Sequence, residues 1–243
     1  MEASKHRAVQ RVRHELRRRE VVVTEVTQVG ANFVSVTFRD DSLADFVSLS
    51  FDDHVKFMIP DGSGELARRD YTPRRYDTQS RELTIEFALH GEGAASDWAR
   101  RARPGDSATI GGPRGSMIIP LDYDWHLLVG DATALPAIRR RLEELPASAQ
   151  VIVVAAAAEG DHLELASPAK LQQYWVADED ELIAVVRALA LPAGEGFAWG
   201  AGEAGAMRRL RDVLGAEKAV PKEAMRVSAY WKKGVADHHE NLD

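Results

Sequence analysis

The hydrophobic period of the chain changes near residues 120–124, and this change constrains the fold more than any other feature. Upstream, from Val21, the period is two, that of a strand with one buried face, and the segments 21–26, 33–38, 54–59, 83–89 and 107–110 read as strands. Turn signals separate them at Gly30-Ala31-Asn32 and Asp61-Gly62-Ser63-Gly64. Another strand precedes or includes residues 69–72, and residues 95–103 read as one short helix. Short strands joined by turns predict an antiparallel barrel. Downstream, residues 125–130 and 151–155 are apolar throughout, as in strands buried on both faces. They alternate with helical stretches at 135–145, 168–173, 179–190 and 205–214, with further strands at 196–199 and 225–230. That alternation predicts a parallel sheet covered by helices. The expected organisation is a basic segment at 1–20 that reads as a frayed, solvated helix, a barrel domain at 21–122, and an α/β domain with a C-terminal tail at 123–243.

The 243 residues suffice for two domains with real cores. The balance of 31 basic and 38 acidic residues gives −7, which argues against a general nucleic-acid binder. The absence of cysteine excludes disulfides, thiolate metal sites and a thiol nucleophile. No apolar run approaches the roughly 20 residues that span a bilayer. A cytoplasmic protein without membrane insertion is expected. His238-His239 sit in a polar tail, and no triad or clustered ligand set is visible, so neither a catalytic side chain nor a metal site is assigned.

The chemistry concentrates in Arg69-Asp70-Tyr71-Thr72-Pro73-Arg74. On an extended chain Arg69, Tyr71 and Pro73 share one side. A guanidinium that forks onto phosphate oxygens then stands beside a ring that can stack, the pairing a phosphorylated aromatic cofactor requires. Pro73 argues against a central, fully paired strand. The small residues Gly93-Ala94-Ala95-Ser96 open a helix whose free N–H groups can meet a pyrophosphate; Ser96 can equally be a plain N-cap.

Six segments in order resemble the ferredoxin-reductase-like flavoproteins and, within them, the siderophore-interacting protein family of ferric-siderophore reductases. They are Asp53-His54-Val55-Lys56, residues 69–74, His90-Gly91 through Trp98, Gly112-Pro113-Arg114-Gly115-Ser116, residues 130–138, and Tyr230-Trp231-Lys232-Lys233-Gly234. The resemblance implies an N-terminal antiparallel FAD-binding β-barrel followed by a C-terminal α/β nucleotide-binding domain with a parallel sheet. It implies that Arg69 and the helix start at Ala95 and Ser96 hold the FAD pyrophosphate, with Tyr71 on the flavin and Thr72 near its N5. Pro73, His90 and Gly91 join that set, although His90 reads equally well as a satisfied barrel histidine. Trp98 reads as helix core.

On the nicotinamide side the resemblance points to Asp131, Thr133, Gly202 and Glu203. Asp131-Ala132-Thr133 stands where better-known reductases carry a glycine-rich turn, which places side chains and a negative charge in a pyrophosphate's path. No cation follows Ala155 to select a 2′-phosphate, with Arg139–Arg141 the nearest candidates, so NADH or NADPH is the expected donor. Lys56, Arg114, Lys232 and Lys233 are implied to surround the flavin's open edge and attract an anionic ferric siderophore. The implied activity passes electrons from NAD(P)H through flavin to Fe(III)-siderophore. The alternatives are a general flavin or ferric reductase of the same fold, or a flavoprotein that takes electrons from ferredoxin.

Overall fold

The computed structural model describes residues 7–60, 66–89, 93–235 and 240–242. His90, Gly91, His238 and His239 lie outside the described residues. The first half contains strands β1 (Gln10–Arg13), β2 (Arg18–Gly30), β3 (Phe33–Arg39), β4 (Val55–Pro60), β5 (Leu66–Tyr71), β6 (Arg75–Asp77) and β7 (Glu82–Ala88), then helix α1 (Ala94–Arg101) and strands β8 (Ser107–Gly111) and β9 (Gly115–Ile118). Seven strands form one sheet in the order β5-β4-β8-β2-β3-β7-β6, and β1 pairs with β9 apart from it. Every pairing is antiparallel. Along β2, Val21 and Val23 are buried while Val22 is 42% exposed, so the strand has one core face and one open face although all three residues are apolar. The sheet curls until the Tyr71 ring of β5 lies 4.5 Å from Phe87 of β7. Trp98 of α1 enters the curl, 4.9 Å from Phe57 and stacked 6.0 Å from Phe38, and is core as expected.

The second half runs β10 (Trp125–Asp131), α2 (Leu135–Glu144), β11 (Gln150–Ala156), β12 (Lys170–Val176), α3 (Glu179–Ala188), β13 (Gly196–Glu203), α4 (Ala204–Asp212), β14 (Met225–Trp231) and β15 (Glu240–Asn241). The sheet order is β12-β11-β10-β13-β14-β15, parallel except for β15. Strand order reverses between β10 and β13, the switch point where open α/β sheets leave a crevice. Leu182, Ile183, Met207 and Leu210 from α3 and α4 cover one face. The other face joins α2 to Phe33, Phe51 and Ile119 from the first half, so one core crosses between the sheets.

Two expectations fail. Residues 10–13 and 18–20 are strand, not helix, because β1 finds partners in β9 and β2 begins opposite Gly111. Residues 170–176 are strand β12 rather than part of a helix at 168–173. Leu171, Gln173 and Trp175 alternate there, and β11 supplies a parallel partner, so pairing overrides the helical reading.

Candidate functional site

Strand β5 lies at the sheet's edge and ends at Tyr71, two residues before Pro73, as Pro73 led us to expect. Arg69 and Tyr71 oppose Phe57 and Val55 in register and share their face. The Tyr71 ring packs edge-on to Phe57 at 5.8 Å, and burial pushes its phenol well up, opposed only by the Arg69 charge. The Arg69 guanidinium donates to the Arg68 carbonyl at 2.7 Å and has no carboxylate partner among the described residues. Thr72 is buried near the Tyr230 phenol, which donates to Asp52 at 3.5 Å. Helix α2 fixes the next residues: Arg140 donates to the Pro73 carbonyl at 2.9 Å, and Arg74 makes a two-pronged contact with Glu143 at 3.0 and 2.6 Å.

Helix α1 starts with Gly93 as its N-cap, where no side chain caps the first turn. Ser96 therefore lies inside the helix rather than capping it. A Cβ at Gly93 would meet nothing within 4 Å among the described residues. An unpaired guanidinium, an uncapped helix start of small residues and a fixed Tyr-Thr pair fit the pyrophosphate and ring of FAD.

The opposite face of the β4–β5 pair carries a cavity of about 450 Å³. Lys56 and Arg114 meet there, and Lys56 Nζ lies 2.9 Å from Asp70 Oδ2. Arg18, His54 and Arg68 complete its charged lining. Sequence reasoning missed these three and Asp70. Alternation alone places Arg68 and Asp70 on one face; only the register shows that Lys56 shares it. Lys232 and Lys233 do not line this cavity. They stand beyond the end of β14, where the Lys233 N–H donates to Glu203 Oε1 at 3.3 Å.

Asp131, Thr133, Gly202 and Glu203 converge at the switch point. The Asp131 carboxylate accepts from the Thr133 N–H at 2.9 Å and its hydroxyl at 2.5 Å, from the Glu203 N–H at 2.9 Å, and from Trp231 Nε1 at 2.8 Å. A Cβ on Gly202, whose φ is +155°, would sit 2.6 Å from Asp131 Oδ2, so glycine is required there. Burial works to raise the Glu203 pKa, but the N–H groups of Lys233, Ala206 and Gly205 together hold it below the usual carboxylate value. Two carboxylates, one saturated by donors, thus occupy the crevice. Arg139–Arg141 do not reach the end of β11: Arg139 pairs with Glu86, and Arg140 and Arg141 donate to carbonyls of the first half. Sequence reasoning also missed Asp52, which accepts from Trp199 Nε1 and Arg226 Nε, each at 2.9 Å. Among the described residues no cluster of three or more His, Asp or Glu could hold a metal, and no helix is long and apolar enough to cross a membrane.

An antiparallel curled sheet with an FAD-shaped set of residues, joined to a parallel sheet with its crevice at the switch point, defines a flavoprotein of ferredoxin-reductase-like fold. The ferredoxin reductase of a carbazole 1,9a-dioxygenase shares that fold with a TM-score of 0.67 over 86% of this chain and 68% of its own, at 18% identity. The sequence model of the siderophore-interacting FAD-binding domain matches residues 61–117, and that of the siderophore-interacting protein matches residues 123–234. The chain belongs to the siderophore-interacting protein family. It is 35% identical to the NADPH-dependent ferric-chelate reductase of Escherichia coli over 91% of this chain and 96% of that one. The crystal structure of a siderophore utilization protein from T. fusca has a TM-score of 0.88 at 31% identity, covering 94% and 98% of the two chains.

Proposed function

We propose that this protein is an FAD-dependent ferric-siderophore reductase that acts in the cytoplasm. FAD, when bound, supplies the chemistry: it accepts a hydride from NAD(P)H and passes electrons singly to Fe(III). One NAD(P)H thereby yields NAD(P)⁺, one proton and two Fe(II), and Fe(II) leaves the chelator because it is held far more weakly. The chain's residues bind and orient. Arg69, Ala95 and Ser96 are assigned to the pyrophosphate, Tyr71 to the flavin ring, and Thr72 and Pro73 to its reactive edge. Lys56 and Arg114 are assigned to the anionic chelate, and Asp131, Thr133, Gly202 and Glu203 to the donor crevice, with Lys232 and Lys233 at its rim.

One observation carries the reading. The unpaired Arg69 with Tyr71 and the cationic cavity occupy the two faces of the same edge strand, β5. Groups bound to the two faces of an edge strand approach each other around its rim, and outer-sphere electron transfer needs only that closeness. The relatives' names agree, for one reduces ferric chelates and another, from Vibrio cholerae, reduces ferric vibriobactin. The carboxylates of Asp131 and Glu203 in the crevice favour a second reading of the donor alone: reduced ferredoxin in place of a dinucleotide, whose pyrophosphate they repel.

The test is anaerobic bleaching of the bound flavin by NADH, NADPH or reduced ferredoxin, then reoxidation by ferric siderophore with a colorimetric Fe(II) trap. Fe(II) should form at two per NAD(P)H oxidised. A bleached flavin that ferric siderophores leave reduced would overturn the proposal.

A further inference from the structure

The cationic cavity has a floor built by register. Asp70 of β5 opposes Lys56 of β4, Lys56 opposes Gly111 of β8, and Gly111 opposes Arg18 of β2, so one straight row crosses four strands. Gly111 has no side chain to stand between the two cations. A Cβ there would meet Met58 Cε at 3.1 Å and Lys56 Cβ at 3.8 Å. Lys56 and Arg18 are two strands apart, about 10 Å at the usual interstrand spacing. Arg68 borders the row from β5, and Arg114 closes the cavity from the loop before β9. Arg18, Arg68 and Arg114 have no ion-pair partner among the described residues. Among the described lining residues four cations, Lys56, Arg18, Arg68 and Arg114, face the single carboxylate of Asp70, on a chain whose net charge is −7.

The N-terminal strap builds one wall of this cavity, and it lies outside the residues that the family's sequence models match. Leu16 and Arg18 line the cavity. The residues just before them hold the loop that bears Arg114. His14 N–H donates to the Arg114 carbonyl at 3.0 Å, Gly112 N–H donates to the Arg17 carbonyl at 2.9 Å, and His14 Nε2 lies 2.8 Å from Ser116 Oγ. Ser116 in turn donates to the buried carboxylate of Asp53 at 2.6 Å. A Cβ on Gly115 would sit 2.4 Å from the Val12 carbonyl, so strap and loop are in backbone contact.

We propose that the strap formed by residues 10–18 is a working wall of the ferric-chelate site, and that Arg18 and Arg68 select ferric chelates of charge −2 or −3 over neutral ones. This rests on the reductase reading above and deepens it. Two unpaired guanidinium groups across a glycine floor hold an anion of matching charge, and their attraction scales with ligand charge and falls with salt. A neutral chelate of equal size meets the same walls without that attraction.

The test uses FAD-loaded full-length protein and its Arg18→Gln/Arg68→Gln variant. Binding of a ferric tris-catecholate (charge −3) and of a neutral ferric tris-hydroxamate is read by quenching of tryptophan fluorescence, beside the KM for flavin reoxidation. The double variant should raise the Kd for the trianion about tenfold or more near 50 mM salt, a gap that shrinks several-fold near 0.5 M salt. The neutral chelate should change by less than about twofold, and FAD content should not change. Gly111→Val, which fills the floor, should weaken both chelates alike. Equal losses for the two chelates in the double variant, or unaltered trianion binding in either variant, overturn the inference while leaving the reductase reading in place. Wild-type protein that neither binds nor is reoxidised by either chelate overturns both.

Discussion

Arg226 Nε donates to Asp52 Oδ2 at 2.9 Å across 174 positions of sequence, and both side chains are buried. This contact ties β14 to the segment before β4, beside the Tyr230 that meets Thr72. Trp199 shares the same carboxylate. Removing the acid takes the carboxylate from a buried guanidinium and an indole N–H at once. Asp52→Ala should therefore destabilise the protein by about 3–5 kcal/mol. Denaturant unfolding followed by tryptophan fluorescence checks this, and a loss below about 1 kcal/mol would show that water replaces the carboxylate at little cost.

Arg69 has no carboxylate partner among the described residues, and helix α1 starts without a side-chain cap. Arg69→Ala should release FAD, since deleting a charge-assisted contact costs about 1.5–3 kcal/mol, roughly 10- to 150-fold in Kd. Its fold should persist, because among the described residues the guanidinium is bonded only to the neighbouring Arg68 carbonyl. Flavin fluorescence after gel filtration reads the outcome. Full retention of FAD would remove Arg69 from the site.

The end of β11 carries no cation, and Arg139–Arg141 are committed to contacts with the first half. NADPH should then hold less than a 100-fold advantage over NADH in kcat/KM, about 2.7 kcal/mol. Steady-state rates with the two donors decide it. A larger preference would mean that a 2′-phosphate site lies elsewhere on the chain.

His126 is buried in β10, and burial, with the Arg141 charge adding to it, pushes its imidazole down to about 3. The unfolded chain takes up that proton near pH 6.5 and the folded one does not, so stability from neutral His126 is complete above 6.5 and is lost as pH falls towards 3. The loss cannot exceed about 1.4 kcal/mol per pH unit for one group. His126→Phe, of similar volume, should flatten this part of the stability profile. Thermal unfolding of both proteins from pH 7 to 4 tests it, and parallel profiles would sink the claim.

The two kinds of sheet were legible in the sequence because their cause is local. Leu83-Thr84-Ile85 alternates since one face of β7 meets the core, whereas Leu127-Leu128-Val129 does not alternate since helices cover both faces of β10. The edge position of β5 was legible in Pro73 for the same reason, a missing donor that no neighbouring strand can replace. Strands β1 and β12 were misread because each is specified by a partner: β9 for the one and β11 for the other.

The members of the candidate site were visible one by one. Their grouping was not. Lys56 and Arg114 meet, Arg18 and Arg68 join them, and Lys232 and Lys233 fall at the crevice instead, all as consequences of strand register and order. A shift of one residue in β4 against β5 would turn Lys56 to the other face and empty the cavity of its central charge. Sequence alone thus determined which chemical groups the chain carries and which faces are apolar, since both follow from side chains and local period. The tertiary structure alone decided which charges share a space, because that depends on pairings between strands tens of residues apart, fixed only when the whole core packs.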